Sequence, residues 1–220
     1  MRNIHQLFAT LTVCLFSVIP VNAAESDYSD GELKYGYSSN RHYDGKLWYV
    51  KRNTGWCVCE GPINLQDGNK MTFEKERYKG DIVVPEETTI TLNQKPQKIK
   101  IAGITGSFYK GAQDVTAITL PNSIKQIETN TFLGCNSLEK IVLGNATTLI
   151  GGEAFNGCTS LKTVTYNGCI YQNGFNLPST LLTLGGSAFA NCKALTGTIT
   201  LPNSITKMEG NIFRECTGIN

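Results

Sequence analysis

The apolar positions of this chain recur at fixed spacing. Ile127, Phe132, Cys135 and Leu138 are spaced as Ile150, Phe155, Cys158 and Leu161. The set returns as Leu184, Phe189, Cys192 and Leu195, and again as Met208, Phe213, Cys216 and Ile219. A worn copy, Ile104, Tyr109, Ala112 and Val115, precedes them at a step of 23 residues. The Phe-to-Phe steps are then 23, 34 and 24 residues. A repeat of this length predicts a solenoid, because each unit has an apolar edge that it buries only by stacking on its neighbours. With the worn copy there are five modules over residues 104–220, the last incomplete at Asn220.

Within a module the period changes. Leu138-x-x-Ile141-x-Leu143 alternates around Ile141 and Leu143, which predicts a short strand with one face in the core and one exposed. Glu153 to Asn156 suits a single helical turn on the opposite side. Gly151-Gly152 and Gly185-Gly186 mark the bend that leads into it. The 34-residue step carries extra length around Asn167–Phe175, where Gly168 and Gly174 flank Cys169-Ile-Tyr171. It reads as a small excursion on one edge, and insertions in solenoids map to loops that often shape a binding surface.

Upstream the pattern is β. Leu47–Val50 and Trp56–Cys59 are aromatic and β-branched runs around Asn53-Thr-Gly55, a hairpin signature. Asp81–Val84 forms a third strand stopped by Pro85, and Thr89–Leu92 with Lys98–Ile101 a further hairpin turning at Asn93 to Pro96. This β-rich stretch, residues 46–103, is predicted to cover the first open edge of the solenoid. Residues 24–45 are polar and read as a flexible leader. Residues 1–23 combine Arg2, an apolar run from Leu7 to Val21 and the small-x-small site Val21-Asn-Ala23, a secretory signal peptide cleaved after Ala23. The apolar stretch is short for a membrane anchor. Val13 stands where lipidation at Cys14 wants a small residue. No later segment is long and apolar enough to span a bilayer.

A formal net charge of +2 argues against a nucleic-acid partner. The one charged run, Glu74 to Lys79, alternates in sign and reads as a solvated face.

Three motifs carry a resemblance. They are Leu-Pro-Asn-Ser-Ile at 120–124 and 201–205, Ala-Phe-x-x-Cys-x-x-Leu at 154–161 and 188–195, and Gly80-Asp-Ile-Val-Val-Pro-Glu86. Together they resemble the BspA-like bacterial surface leucine-rich repeat family, over roughly residues 46–219. Trp48-Tyr-Val50 and Gly80 to Pro85 are similar to the cap that precedes such repeats. The resemblance implies a leucine-rich-repeat solenoid, β-rich, with short concave strands, short helical turns outside and a β-rich N-terminal cap. It also implies a secreted or cell-surface protein without catalysis or cofactor. Such a protein adheres to an extracellular protein or glycan, host matrix proteins among them. The family has no shared catalytic residues to carry over. The rival reading, prompted by the module interrupted at Asn220, is a structural or self-assembling surface component.

Candidate chemistry is sparse. Cys135, Cys158, Cys192 and Cys216 occupy one column, which reads as a buried ladder of small apolar side chains. Cys57 and Cys59 would share a strand face. A metal there would need two further ligands, and a nucleophile would need a base, yet beyond residue 23 the only histidine is His42 in the leader. A disulfide from either to Cys169 is the alternative in an oxidising compartment. Seven cysteines beyond Cys14 leave at least one free or paired between molecules. No Lys-Ser/Thr follows the Gly-Gly pairs, so they are turn residues and not a phosphate loop. Asn145-Ala-Thr147 is a glycosylation sequon, of consequence only in a eukaryotic host. The candidate working surface is the exposed side of the strand ladder: Ala117, Thr119, Lys140, Val142, Thr163, Thr165, Thr198 and Thr200. Its Thr content also follows from β-propensity alone. A ligand here would be held by shape and modest hydrogen bonds.

Overall fold

The computed structural model describes residues 41–43, 47–52, 55–59, 63–66, 70–73, 78–92, 94–104, 114–171 and 173–219. The expected signal peptide, the leader up to residue 40, Tyr109 and Ala112 of the worn copy, and residues 74–77 of the charged run lie outside them.

The N-terminal part is a five-stranded sheet of order β1-β2-β3-β8-β7. Strands β1 (Arg41–Tyr43), β2 (Trp48–Arg52) and β3 (Gly55–Cys59) follow one another antiparallel, with Trp48 opposite Cys59. Strands β4 (Ile63–Gln66) and β5 (Lys70–Phe73) form a separate hairpin. After β6 (Gly80–Val83), strands β7 (Glu87–Leu92) and β8 (Lys95–Ile104) form the second expected hairpin, and β8 joins β3 in parallel. Two expectations change. Arg41–Tyr43, within the stretch expected as flexible leader, is a paired strand. The strand at 80–83 pairs not with the cap but with the first repeat strand, β9 (Val115–Thr119). The reason lies in its sequence. Ile82-x-Val84-Pro85 has the pattern of Ile118-x-Leu120-Pro121, so its buried positions match the repeat sheet.

Each complete coil has three sides. On the first, β6, β9, β11 (Lys140–Leu143) and β13 (Thr163–Tyr166) stack in parallel register. On the second, two-residue strands β10 (Gln126–Ile127), β12 (Leu149–Ile150), β14 (Thr183–Leu184) and β16 (Lys207–Met208) do the same. The third side is a turn. Two further short strands, β15 (Thr196–Gly197) and β17 (Gly218–Ile219), pair near the end.

The turn side differs from the expected helical turn, and there is no helix among the described residues. Alternate backbone amides point along the stack, while those between them, such as Leu133, Asn156 and Ala190, donate three residues back along the chain to Asn130, Glu153 and Ser187. Asn130, Phe132 and Gly134 donate to Gly152, Ala154 and Asn156 carbonyls at 2.8–3.1 Å. Glu153, Phe155 and Gly157 donate likewise to Gly186, Ala188 and Ala190, and Ser187, Phe189 and Asn191 to Gly210, Ile212 and Arg214. This orientation needs left-handed residues on either side of each Phe. They are Asn130 and Gly134, Glu153 and Gly157, Ser187 and Asn191, and Asn211 and Glu215, with φ between 55° and 77°. For the non-glycines that conformation is costly, and the inter-coil hydrogen bonds hold it.

Inside this wall the Phe side chains stack. Phe132 to Phe155, Phe155 to Phe189 and Phe189 to Phe213 have ring centroids 5.1, 5.0 and 5.8 Å apart. Gly185 permits the approach: a Cβ there would lie 2.3 Å from the Gly152 amide nitrogen. Gly151 is equally tight, 2.6 Å from the Thr129 nitrogen. These glycines are therefore packing residues. One core runs from Leu47 in the cap to Cys216.

Candidate functional site

The exposed strip is built by the register of the first sheet. Ala117, Lys140 and Thr163 are successive partners in one row, and Thr119, Val142 and Thr165 in the next. Ile118, Ile141 and Val164 between them point into the core and are fully buried, so the alternating residues face outward. Ala117, Thr119, Lys140, Val142 and Thr163 are half-buried, as expected for the floor of a sheet surface.

The sequence missed the first rung. Asp81 pairs beside Ala117 and Val83 beside Thr119, so both rows extend by one residue. Val83 is 67% exposed, a large apolar side chain in solvent. The matching of Ile82-x-Val84-Pro85 to the repeat was the signal that could have found it. Asp81 accepts a hydrogen bond from Thr116 Oγ1 at 2.8 Å.

Three of the eight expected residues are placed differently. Thr165 is fully buried, because the excursion folds over it: its Oγ1 donates to the Tyr171 carbonyl at 3.0 Å. Thr198 and Thr200 are exposed but belong to no strand of this sheet. The sheet ends at β13, where Phe175 bridges to Val164. The Val164 amide donates to Gly174 O at 2.8 Å and the Asn176 amide returns to Val164 O at 2.7 Å. Phe175 then enters the core edge-on to Phe189 and Phe213, with centroids 5.0 and 5.4 Å away.

The excursion therefore stands as a wall at the end of the floor. Its first residue is tied down, with Asn167 Nδ2 donating to Leu120 O at 2.8 Å and to Asn122 Oδ1 at 3.1 Å. Cys169 is buried beside Tyr166, and its amide donates to the Tyr166 carbonyl at 3.0 Å. Burial, and then the Cys169 thiol, raise the Tyr166 hydroxyl above its ordinary pKa. The tip is the opposite: Ile170 is 83% and Tyr171 65% exposed. From Val83 to Thr165 the row spans three inter-strand steps, about 14 Å. The result is a shallow trough with an apolar residue at one end, an apolar wall at the other and Thr119 and Val142 between.

The cysteine column lies away from this surface. Cys135, Cys158, Cys192 and Cys216 are buried, and none is in a disulfide. The Cys158, Cys192 and Cys216 thiols donate to the carbonyls of Phe132, Phe155 and Phe189 at 3.2, 3.2 and 3.0 Å. Each thiol thus bonds the preceding coil. Burial, reinforced by Cys158 and Cys216, pushes the Cys192 thiol far above its usual range. Cys57 and Cys59 are buried in the cap and Cys169 in the excursion, and the considered disulfide between them is not formed. Thr147 of the sequon is buried, its Oγ1 bonded to Ile124 O at 3.2 Å.

Among the described residues no group of three or more His, Cys, Asp and Glu could hold a metal ion, and no helix is long and apolar enough to cross a membrane.

The sequence profile of the BspA type leucine rich repeat region matches residues 86–219 in six copies, where the periodicity of the sequence gives five modules from residue 104. The match begins directly after the first rung of the ladder. A leucine-rich repeat protein of Bacteroides ovatus is similar in structure, with a TM-score of 0.60 and 22% identity over 80% of this chain. The leucine rich repeat protein of T. pallidum is similar with a TM-score of 0.58 and 20% identity over 79% of the chain. The chain spans 39% of the first protein and 66% of the second. No curated protein matches the sequence.

Proposed function

The chain belongs to the BspA-type leucine-rich repeat family, and on that premise we propose that it is a non-catalytic binding protein, secreted or displayed at a bacterial surface. Its strand-side trough would adhere to an extracellular protein or glycan. The observation that carries the reading is the trough itself. An excursion that could have been a slack loop is hydrogen-bonded across Thr165 and leaves Ile170 and Tyr171 in solvent beside an uncluttered floor. Adjacent large apolar side chains held in solvent, as Ile170 and Tyr171 are, mark interaction sites. The secretory leader at residues 1–23 supports the compartment.

The test is binding of the purified chain to a panel of matrix proteins and glycans, followed by biolayer interferometry. The comparison protein carries Thr119→Lys and Val142→Lys, which fill the floor with long side chains. The reading expects saturable binding to a panel member, lost in the double variant while circular dichroism stays unchanged. Absence of binding across the panel, or equal binding by the variant, would remove the trough as the working surface.

A further inference from the structure

The trough has a chemistry more specific than shape. Lys140 is the only basic side chain in its two rows, set between Ala117 and Thr163, and it has no ion-pair partner among the described residues. Its neighbours are already satisfied. Glu139 and Lys162 pair with each other at 3.2 Å, and Asp81, two rungs away, is engaged by Thr116. The one carboxylate in these rows, Asp81, stands two inter-strand steps or about 10 Å from Lys140, so a cation without an ion-pair partner here is matched by a single carboxylate from outside.

At the end of the second row stand Ile170 and Tyr171. The backbone beneath them is fixed by the Thr165, Val164 and Asn176 hydrogen bonds and by Asn176 Nδ2 donating to Asn173 O at 2.9 Å. An apolar tip on a fixed base loses little conformational freedom on binding, and tyrosine is enriched among the residues that dominate interfaces.

Resting on the binding role proposed above, we infer that the trough selects a protein segment with two features: a large apolar side chain against Ile170 and Tyr171, and a carboxylate at Lys140. From Thr165, which is bonded to the Tyr171 carbonyl, to Lys140 is one inter-strand step and two residues along a strand, so the backbone positions beneath the two features lie about 8 Å apart. That is two to three residues of extended chain at about 3.3 Å each. A neutral glycan would use the tyrosine ring but neither the aliphatic Ile170 nor the ammonium. An acidic polysaccharide would want several cations, and the floor offers one.

A random peptide library displayed on phage and selected on the full chain tests this. Selection on the native protein should enrich peptides carrying Trp, Phe or Leu two or three residues from Asp or Glu. Selection on Lys140→Glu should enrich Lys or Arg in place of the acid, a reversal that a structural defect would not produce. Against the Ile170→Ser, Tyr171→Ser double variant, peptides chosen on the native chain should bind roughly tenfold more weakly or worse. Both substituted side chains are exposed, and circular dichroism checks the fold. No enrichment, or the same peptides from all three proteins, overturns the inference. A chain that binds a glycan through the trough but selects no such peptide sinks this inference and leaves the binding role standing. Failure of the matrix and glycan panel together with the peptides sinks both.

Discussion

The turn side and the strand side of the solenoid treat the long third step in different ways. On the turn side the three inter-coil hydrogen bonds and the Phe stack pass from Phe155 to Phe189 as they do from Phe132 to Phe155. On the strand side the parallel sheet stops at β13, and the extra residues leave the surface, fold back over Thr165 and re-enter as Phe175. One side fixes the spacing of coils and the other is left to vary. The difference follows from packing. The turn side has glycine-only approaches of 2.3–2.6 Å and left-handed residues that tolerate no added length. A strand end opens directly into solvent, where a longer loop costs only a slowly growing closure entropy.

If the turn side holds the stack, damage there should cost most. Phe155→Ala removes the ring between Phe132 and Phe189 and should lower stability by about 3–5 kcal/mol, read from urea unfolding. Gly185→Ala drives a methyl into the Gly152 backbone and should cost about 1–3 kcal/mol. Gly186→Ala, whose Cβ would meet nothing closer than 3.4 Å, should cost much less, and equal losses for the two would contradict the packing argument.

The cysteine column adds a pH dependence. The folded Cys192 thiol holds its proton far above the unfolded thiol pKa of about 8.5. Its contribution is therefore complete below about pH 8.5 and declines as pH rises beyond it, by about 1.4 kcal/mol per pH unit. Urea midpoints between pH 7 and pH 10 should fall along that slope, and Cys192→Ala should flatten it. A slope unchanged by that substitution would assign the loss to other groups.

Strand-side changes should be mild. Thr165→Val keeps the shape and removes the bond to Tyr171 O, at about 1 kcal/mol. Ile170→Ser should leave stability within about 0.5 kcal/mol, since the side chain is solvent-exposed.

The sequence made the turn side legible because every coil repeats it. Phe132, Phe155, Phe189 and Phe213 and their Cys partners form columns that a period alone exposes. The two cap hairpins were legible from alternating runs around Asn-Thr-Gly and Asn93 to Pro96. The strand side was readable only where it is periodic. Ala117 to Thr163 fell into register as the spacing required. Thr165 did not stay exposed, because its cover is one hydrogen bond to a unique segment that no repeat announces. Thr198 and Thr200 flank Ile199 and Leu201 as the ladder positions flank their buried pairs, although the sheet has already ended at β13. Gly80–Val83 was assigned to the cap by its place in the chain, while its apolar pattern belonged to the repeat.

Native-state hydrogen exchange on Thr165→Val tests the division between the two sides most directly. With the wall released, the amides of Val164, Cys169 and Asn176 should exchange faster, while those of Phe155, Gly157, Phe189 and Asn191 keep the protection of the intact chain. If the turn-side amides lose protection together with them, the solenoid is one cooperative unit, and its strand side is not free to vary independently of the stack.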